Sequence, residues 1–245
     1  MNIMKTRIGI IGAMDLEIEK LTKKEMTSEN IVARAGLRFH LGKLGDCDVV
    51  IVRSGIGKVN AALCTQILID CFQVTHIINT GIAGSLDNSI DIGDIVICTD
   101  AMHHDLDLGP LGYEPGILPT LGDGPILSSF PADPFLRDLA VRSCLATAPD
   151  IGIHEGRIVS GDQFISSADQ RTRLVNTFHA ICTEMEGAAV AHTAYLNGIP
   201  FVVLRAISDK AGDEADVEFG IFERQAAENC ANVVAHLVRN ISRAQ

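Results

Sequence analysis

The sequence predicts a single α/β domain in which helices cover both faces of a mixed, largely parallel sheet. Short apolar runs that are typical of buried strands alternate with longer segments of helical periodicity. The chain has 245 residues, 47% of them hydrophobic, which is enough to bury a sizeable core. No repeat, linker or composition change divides it. We therefore expect residues 1–245 to form one three-layer α/β/α domain.

The N-terminal third predicts a buried strand, a helix with an acidic first turn, a hairpin, another buried strand and a second helix. Continuous apolar runs indicate strands that are buried on both faces. In the first helix, Leu16, Ile18 and Leu21 recur among charged residues, and Asp15 and Glu17 suit the positive helix end. Most glutamates in such a position only compensate the helix dipole. The predicted elements are, in order, residues 7–13, 14–25, 31–33, 37–41, 47–52 and 59–72.

Residues 54–58 (Ser-Gly-Ile-Gly-Lys) invite comparison with nucleotide-binding loops, and both motifs fail. A P-loop needs glycine at position 52 and serine or threonine at position 59, but this chain has Val52 and Val59. A dinucleotide fingerprint needs glycine at Asn60. The loop therefore predicts a tight turn whose backbone comes close to a ligand or a neighbouring segment.

The rest of the chain continues the alternation. A glycine turn at 81–85 is expected after the strand at 76–80, and Ser167 is expected to cap the helix that follows it. The last strand, 202–204, is followed by a polar tip that contains Asp209. The predicted strands are 76–80, 95–98, 152–161, 180–183 and 202–204, and the predicted helices are 134–146, 168–178, 187–191 and 217–240.

Composition narrows the classes of partner and compartment. The net charge of −11 and the absence of a basic run argue against a nucleic-acid surface. No apolar run reaches the roughly 18 residues that a transmembrane helix needs. The apolar N-terminal segment is too short for a signal peptide and is followed at once by acidic residues. Seven scattered cysteines without a C-x-x-C motif indicate a reducing compartment, so we expect a cytoplasmic protein.

Residues 100–124 form a long predicted loop, which in a compact domain is usually functional or disordered. A metal site built from its acidic residues with His103 and His104 is a weak alternative, because adjacent histidines point in different directions. We expect no metal. The loop also carries apolar residues that could pack over a pocket or against a second subunit. These are Leu108, Leu111 and Tyr113.

Three acidic residues follow predicted strands: Glu17, Glu186 and Asp209. In an open α/β sheet such junctions share the edge where ligands bind. Hydrolysis of a glycosidic bond needs two carboxyl groups, one that activates water and one that protonates the leaving group. A third carboxylate can accept hydrogen bonds from ribose hydroxyls. Helix capping is the alternative interpretation of Asp209, and chance placement of abundant acidic residues is the alternative for the three together.

Six motifs, in order, resemble those of a known family. They are Gly9-Ile10-Ile11-Gly12-Ala13-Met14 with Glu17, Ser54-Gly55-Ile56-Gly57-Lys58, Asn79-Thr80-Gly81-x-Ala83-Gly84, Val159-Ser160-Gly161-Asp162-x-Phe164-Ile165, Glu184-Met185-Glu186 and Arg205-Ala206-Ile207-Ser208-Asp209. Over about residues 5–240 the chain is similar to 5'-methylthioadenosine/S-adenosylhomocysteine nucleosidases of the purine nucleoside phosphorylase/uridine phosphorylase superfamily. The resemblance implies a nucleoside phosphorylase-like fold and the release of adenine, without a metal or cofactor.

The resemblance also implies roles for single residues. Glu17 matches the glutamate that activates water, with Arg205 nearby. Asp209 matches the aspartate that protonates adenine at N7, oriented by Ser208. Glu186 matches the carboxylate that binds the ribose hydroxyls.

Further matches form the walls of the implied site. Met185 packs beside the sugar, Phe164 stacks on adenine, and the backbone of Ile165 reads the base edge. The 5'-alkylthio pocket is matched by Met14, Ile56 and Phe219. The partner subunit of a homodimer contributes the residues matched by Leu108, Leu111, Tyr113 and Pro119. Two positions depart from the common pattern: Ile82 replaces a serine near the water in some members, and Thr183 replaces a valine beside the ribose.

The leading hypothesis is hydrolysis of 5'-methylthioadenosine and S-adenosylhomocysteine. A phosphorylase of the same superfamily is disfavoured because Asp15, Glu17 and Glu19 stand where phosphate would need a basic residue. A hydrolase of a related nucleoside, such as aminofutalosine, remains open. A nucleoside-binding module without turnover would not need both a water-activating and an acidic group. The failed glycine fingerprint and the length exclude a two-domain dehydrogenase.

Overall fold

The computed structural model describes residues 6–119 and 128–241. Its strands are β1 (Arg7–Gly12), β2 (Thr27–Arg34), β3 (Leu37–Leu44), β4 (Cys47–Arg53), β5 (His76–Ser85), β6 (Ile95–His103), β7 (Phe130–Pro131), β8 (Ile153–Ser160), β9 (Cys182–Glu184) and β10 (Phe201–Asp209). Its α-helices are α1 (Asp15–Lys20), α2 (Lys58–Phe72), α3 (Pro134–Thr147), α4 (Ala168–Phe178), α5 (Gly187–Leu196) and α6 (Ala215–Ile241). A π-helical segment (Leu21–Glu25) extends α1, and a 3₁₀ turn spans Gly109–Leu111.

The ten strands of the described residues form one mixed sheet. From one edge its order is β2-β3-β4-β1-β5, and beyond β5 the strands β10, β6, β8 and β9 pair in turn, with β9 returning to β5. Strands β5, β10, β6, β8 and β9 thus form a closed ring, and β1, β4, β3 and β2 extend the sheet from β5 to an open edge. The predicted mixed sheet is confirmed, but antiparallel pairing is not confined to the edge, because β10–β6 and β5–β9 are antiparallel as well.

Helices cover both faces of the sheet, as the predicted three layers require. Strand β10 shows why: Val202 and Leu204 pack in the core beneath α6, whereas Val203 packs in the core beneath α2 and α5. Successive side chains of a strand point to opposite faces. A strand between two helical layers is therefore apolar throughout, which is the pattern of residues 202–204.

Several strands are longer than the sequence predicts. Strand β5 continues through Gly81–Ser85 where we expect a glycine turn, β6 extends to His103, and β10 extends to Asp209. The glycines and polar residues at these ends stay in the sheet because they pair in register, for example Asp209 with Gly84. Periodicity alone does not detect strand ends of this kind, since they carry functional polar side chains.

Other expectations hold closely. Residues 27–44 form an antiparallel hairpin, and Ser167 caps α4 through a 3.3 Å hydrogen bond from the backbone N–H of Gln170. The expected loop at 100–124 is strand as far as His103, and its residues 120–124 lie outside the described part of the chain. In the described ranges no helix has the length and hydropathy to cross a membrane.

Candidate active site

An open cavity of about 610 Å³, counting its mouth, lies at the carboxyl ends of β1, β5, β9 and β10. Most of the residues that the sequence predicts for the site line it. They are Met14, Glu17, Ile56, Phe164, Ile165, Met185, Glu186, Ser208, Asp209 and Phe219. The parallel strands β1, β5 and β10 bring their carboxyl ends to one edge, and the short antiparallel strand β9 reaches the same place by pairing with the end of β5.

Glu17 reaches back from the first turn of α1 into the cavity. Its Oε2 accepts hydrogen bonds from the backbone N–H groups of Ala13 (2.6 Å) and Met14 (2.9 Å), and its Oε1 accepts one from Ile82 (3.1 Å). A Cβ on Gly81 would lie only 2.5 Å from Oε1, so any other residue there would displace the carboxylate. Burial raises the pKa of Glu17, while the charge of Arg205 and the amides oppose this shift. Glu17 thus caps the helix, and its carboxylate also faces the cavity.

Asp209 ends β10 and is held by its neighbours. Its Oδ2 accepts a hydrogen bond from the Ser208 hydroxyl (2.9 Å), and its Oδ1 accepts one from the backbone N–H of Ala211 (2.8 Å). Burial raises the pKa of Asp209 and the charge of Glu218 raises it further, while the two hydrogen bonds act in the other direction. The side chain is therefore fixed in orientation, and its surroundings favour the protonated form.

Glu186 stands at the start of α5 and binds the glycine loop before α2. The backbone N–H of Gly57 donates to its Oε1 over 2.7 Å. Burial raises the pKa of Glu186 to about 8, with a further increase from the charge of Glu184. A carboxyl group has two oxygens, so beside the hydrogen bond from Gly57 to Oε1, Glu186 keeps capacity for hydroxyl groups of a ligand.

Arg205 does not line the cavity. It lies behind the cavity, where its Nη2 pairs with Glu184 and donates to Asn79 Oδ1 over 2.6 Å. Glu184 also accepts hydrogen bonds from the Ser160 hydroxyl and from the backbone N–H of Gly187. Burial opposes ionisation of Glu184, but the charge of Arg205 and the hydrogen bonds from Arg205, Ser160 and Gly187 together outweigh it and lower the pKa of this carboxyl.

Glu184 is a cavity residue to which the sequence assigned no role. The sequence does place Glu184 in the Glu-Met-Glu motif, but it does not indicate which of the two glutamates binds a ligand and which is structural. The structure separates them: Glu184 has a buried cationic partner, and Glu186 has none among the described residues. Arg205 acts on Glu17 through its positive charge, which lowers the pKa of that carboxyl group.

A ring of polar contacts holds the loops around the cavity. The backbone N–H of Lys58 donates to Asp162 Oδ1 (2.8 Å), and the backbone N–H of Asp162 donates to Asp105 Oδ2 (2.9 Å). The ammonium group of Lys58 pairs with Asp105. Gly57, at φ +98°, packs against this ring, and a Cβ there would lie 3.0 Å from Asp162 Oδ1. The predicted tight turn at 54–58 is confirmed.

Aromatic and thioether side chains form the apolar part of the cavity. Phe164 and Phe219 meet edge to face with ring centroids 5.7 Å apart. Met14 and Met185 lie on the same lining. Phe164 remains 45% exposed, so the cavity keeps a partly open aromatic wall that can stack on a flat ligand.

The predicted loop residues lie elsewhere. Leu108, Leu111, Tyr113 and Pro119 are absent from the cavity lining of their own chain, and Leu111 is 71% exposed. His103 and His104 are buried, and the described residues provide no group of three metal-ligating side chains around them or elsewhere.

Comparison with known proteins places this site in a family. The family model for the phosphorylase superfamily matches residues 7–239. A 5'-methylthioadenosine/S-adenosylhomocysteine nucleosidase of Exiguobacterium sp. is 39% identical over 97% of this chain and 100% of its own length. The chain belongs to the 5'-methylthioadenosine/S-adenosylhomocysteine nucleosidase family. The resemblance seen in six sequence motifs is thereby confirmed.

Solved structures of this nucleosidase family agree in fold. The Neisseria meningitidis enzyme in complex with methylthio-immucillin-A has a TM-score of 0.91 and 36% identity, with 96% of this chain and 99% of that chain covered. A futalosine hydrolase of Helicobacter pylori has a TM-score of 0.90 and 32% identity, covering 97% and 99%. The predicted nucleoside phosphorylase-like fold is confirmed.

Proposed function

We propose that this protein hydrolyses the N-glycosidic bond of 5'-methylthioadenosine and S-adenosylhomocysteine, releasing adenine and the thioribose product. The observation that carries the proposal is the charge of the cavity. Its lining in the described chain holds four carboxyl groups and no lysine or arginine. Such a site suits a cationic, oxocarbenium-like transition state and an attacking water. The carboxyl groups belong to Glu17, Glu184, Glu186 and Asp209.

Glu17 is proposed as the general base that activates water. It must be ionised to take a proton: burial raises its pKa, and the charge of Arg205 together with three backbone amides limits this rise. Because those amides fix both oxygens, the carboxylate is oriented before substrate binds.

Asp209 is proposed as the general acid that protonates adenine at N7. It must hold a proton, and burial and the charge of Glu218 both favour this. Burial raises the pKa of both carboxyl groups, but the nearby charge differs: the cation Arg205 opposes the rise at Glu17, whereas the anion Glu218 adds to the rise at Asp209. Protonation makes adenine a better leaving group, which a well-placed acid accelerates by roughly 10²–10⁴-fold.

The remaining predicted residues are proposed to bind the substrate. Glu186 accepts hydrogen bonds from the ribose hydroxyls, and Met185 packs beside the sugar. Phe164 stacks on adenine, and the backbone of Ile165 reads its edge. The 5'-alkylthio group lies against Met14, Ile56 and Phe219. Residues 1–245 act as one catalytic domain.

A phosphorylase is the nearest rival, and the products distinguish the two activities. The purified protein is incubated with 5'-methylthioadenosine with and without phosphate. We expect adenine and free methylthioribose at equal rates in both. Methylthioribose 1-phosphate, formed only with phosphate, would establish the phosphorylase instead. The lining supports water, because its described residues include no lysine or arginine that could bind phosphate.

Hydrolysis of futalosine-type nucleosides is the second candidate. It is supported by the likeness to the Helicobacter pylori futalosine hydrolase at 32% identity. Aminofutalosine offered in competition with 5'-methylthioadenosine tests it: the ratio of the two kcat/KM values ranks the substrates, and we expect 5'-methylthioadenosine to be preferred.

We also propose a cytoplasmic homodimer in which residues of the 100–124 loop complete the neighbouring cavity. Exposed apolar side chains support the dimer: Val59 on α2 is 77% exposed, Leu196 on α5 67% and Leu111 71%. Seven free cysteines support a reducing compartment. Light scattering on the purified protein measures the oligomeric state, and a monomer at micromolar concentration would refute the proposed homodimer.

A further inference from the structure

Helix α2 begins without a side-chain cap of its own. Its N-cap is Gly57, which has no side chain, and its first turn holds no acidic residue. Two carboxylates from other segments accept hydrogen bonds from its first amides instead. The backbone N–H of Gly57 donates to Glu186 Oε1 over 2.7 Å, and the next N–H, that of Lys58, donates to Asp162 Oδ1 over 2.8 Å. Negative groups in this position also suit the positive end of the helix.

The two hydrogen bonds depend on each other, because Gly57 and Lys58 are neighbours in the chain. Gly57 has a φ of +98°, and glycine moves easily between such conformations, so the loop itself does not fix its amide. The carboxylate of Asp162 lies directly against this residue, since a Cβ on Gly57 would be 3.0 Å from Asp162 Oδ1. Loss of the carboxylate would therefore free the start of the helix, and the Gly57 amide could leave Glu186.

The backbone of Asp162 is anchored separately from its side chain. Its N–H donates to Asp105 Oδ2 over 2.9 Å, and Asp105 Oδ1 pairs with the ammonium group of Lys58. The side chains of this ion pair are only 15% and 22% exposed. Because the anchor does not involve the Asp162 carboxylate, residues 163–165 of the cavity lining keep their support when that carboxylate is removed.

We propose that Asp162 is a positioning residue for ribose binding: its carboxylate holds the start of α2 so that the Gly57 amide stays on Glu186. The proposal rests on the proposed function, in which Glu186 accepts hydrogen bonds from the ribose hydroxyls. Asp162 is exposed and is absent from the described cavity lining, so it acts through Gly57 and does not touch the substrate. With Oε1 held by the amide, the carboxyl group of Glu186 meets the hydroxyls in one orientation.

The ionisation of Glu186 gives this role a signature of its own. Burial raises the pKa of Glu186 most. The charges of Glu184 and Glu17 add to the rise, whereas the Gly57 amide and the charge of Arg205 oppose it. Among these influences only the amide depends on the proposed positioning residue, because the three charged groups lie on β9, α1 and β10. Loss of the amide should move the ionisation of Glu186 about 0.5–1 pH unit higher.

The test compares Asp162→Ala, which lacks the carboxylate, with Asp162→Asn, whose carbonyl oxygen can still accept from Lys58. Both are made in the Asp209→Asn background, in which we expect bound 5'-methylthioadenosine to stay intact and in which residue 209 does not titrate. Calorimetry gives the Kd for 5'-methylthioadenosine and for adenine, which has no ribose, from pH 6 to pH 9.5. If the background turns the nucleoside over, its KM and the inhibition constant of adenine replace the two Kd values.

At pH 8 we expect Asp162→Ala to weaken binding of 5'-methylthioadenosine about 3–10-fold and binding of adenine less than about twofold. The Kd for adenine divided by the Kd for the nucleoside should rise with pH, because hydrogen bonds to an ionised acceptor are stronger. The midpoint of this rise should lie about 0.5–1 pH unit higher in Asp162→Ala. Asp162→Asn should stay within about twofold of the background protein throughout. The exposed Asp150→Ala, before the other end of β8, is the control and should change neither ligand.

Three results would overturn the proposal. An equal loss of affinity for both ligands would mean that Asp162 supports the adenine-binding segment and not the ribose contact. Asp162→Asn as weak as Asp162→Ala would mean that the charge of Asp162 acts, and not its hold on the helix. An unchanged midpoint in Asp162→Ala would mean that the Gly57 amide stays on Glu186 without it.

The outcome for Asp162 is separable from that for the proposed function. A wild type that releases no adenine from 5'-methylthioadenosine, while Asp162→Ala shows the selective loss and the shifted midpoint, would remove the proposed function alone. Normal release by the wild type, with the same two Kd values in Asp162→Ala as in its background, would remove the positioning role alone.

Discussion

The raised pKa of Glu186 predicts a measurable effect of pH on stability. This carboxyl group is buried beside the ionised Glu184, and its pKa rises from 4.5 to about 8. In the unfolded chain it loses its proton near pH 4.5, whereas in the folded protein it keeps the proton up to about pH 8. The free energy of unfolding should therefore fall as pH rises through this interval and level off above it.

The magnitude follows from the interval. About 1.36 kcal/mol per pH unit over roughly 3.5 units gives about 5 kcal/mol, and relaxation around the charged group reduces this figure. We expect a contribution of about 2–5 kcal/mol from this one side chain. That is a large share of the 5–15 kcal/mol that a typical domain has.

Glu186→Gln isolates the effect, because glutamine keeps the size of the side chain and an oxygen that can accept from Gly57. Urea unfolding is measured from pH 5 to pH 9 for both proteins at equal concentration. The free energy of unfolding of the wild type, minus that of the variant, should fall by about 2–5 kcal/mol between pH 5 and pH 8. The variant is then the more stable protein at high pH. The exposed Glu214→Gln serves as the control and should show no such trend.

A flat difference between wild type and Glu186→Gln across pH 5–8 would refute the reasoning. It would show that Glu186 is ionised in the free protein, and that the Gly57 amide and Arg205 compensate burial more fully than the geometry indicates.

The remaining predictions concern catalysis, the buried ion pair and assembly. Glu17→Gln should lower kcat at least about 100-fold in a steady-state assay of adenine release, because no base remains to activate water; a fast variant would remove Glu17 from the mechanism. The pH profile of kcat should fall at low pH as Glu17 gains a proton and at high pH as Asp209 loses one, and a profile without the acidic limb would contradict the base. Arg205→Ala should lower the free energy of unfolding by about 3–5 kcal/mol, because Glu184 then stays buried without its partner; a loss under 1 kcal/mol in urea unfolding would contradict this. Leu111→Asp should shift the protein toward the monomer in light scattering and raise KM, and an unchanged dimer would place the interface elsewhere.

The order of strands and helices could be predicted because buried strands and amphipathic helices leave strong patterns. Three strands show where this ends. Residues 81–85, 99–103 and 205–209 are strand in the structure, although the sequence predicts a glycine turn for the first, a loop from residue 100 for the second and a polar tip for the third. Their ladder pairing depends on neighbours far along the chain, such as Gly84 beside Asp209, and local sequence carries no trace of it.

The site residues that belong to the six motifs could be predicted from the sequence. Glu17, Glu186 and Asp209 line one cavity, as their position after strands indicates. The division of labour between Glu184 and Glu186 was not predictable, since it depends on the burial of Arg205 against only one of them.

The most direct test of the mechanism is Asp209→Asn with 5'-methylthioadenosine. Binding is measured by calorimetry, and adenine release is followed in a single turnover. We expect the Kd of Asp209→Asn for 5'-methylthioadenosine to lie within about threefold of the Kd of the wild type for an inert analogue. We expect adenine release to be slowed at least about 100-fold, because asparagine can hold the base but cannot protonate N7. Release at a near-normal rate would contradict it, and leaving-group protonation would then need another donor.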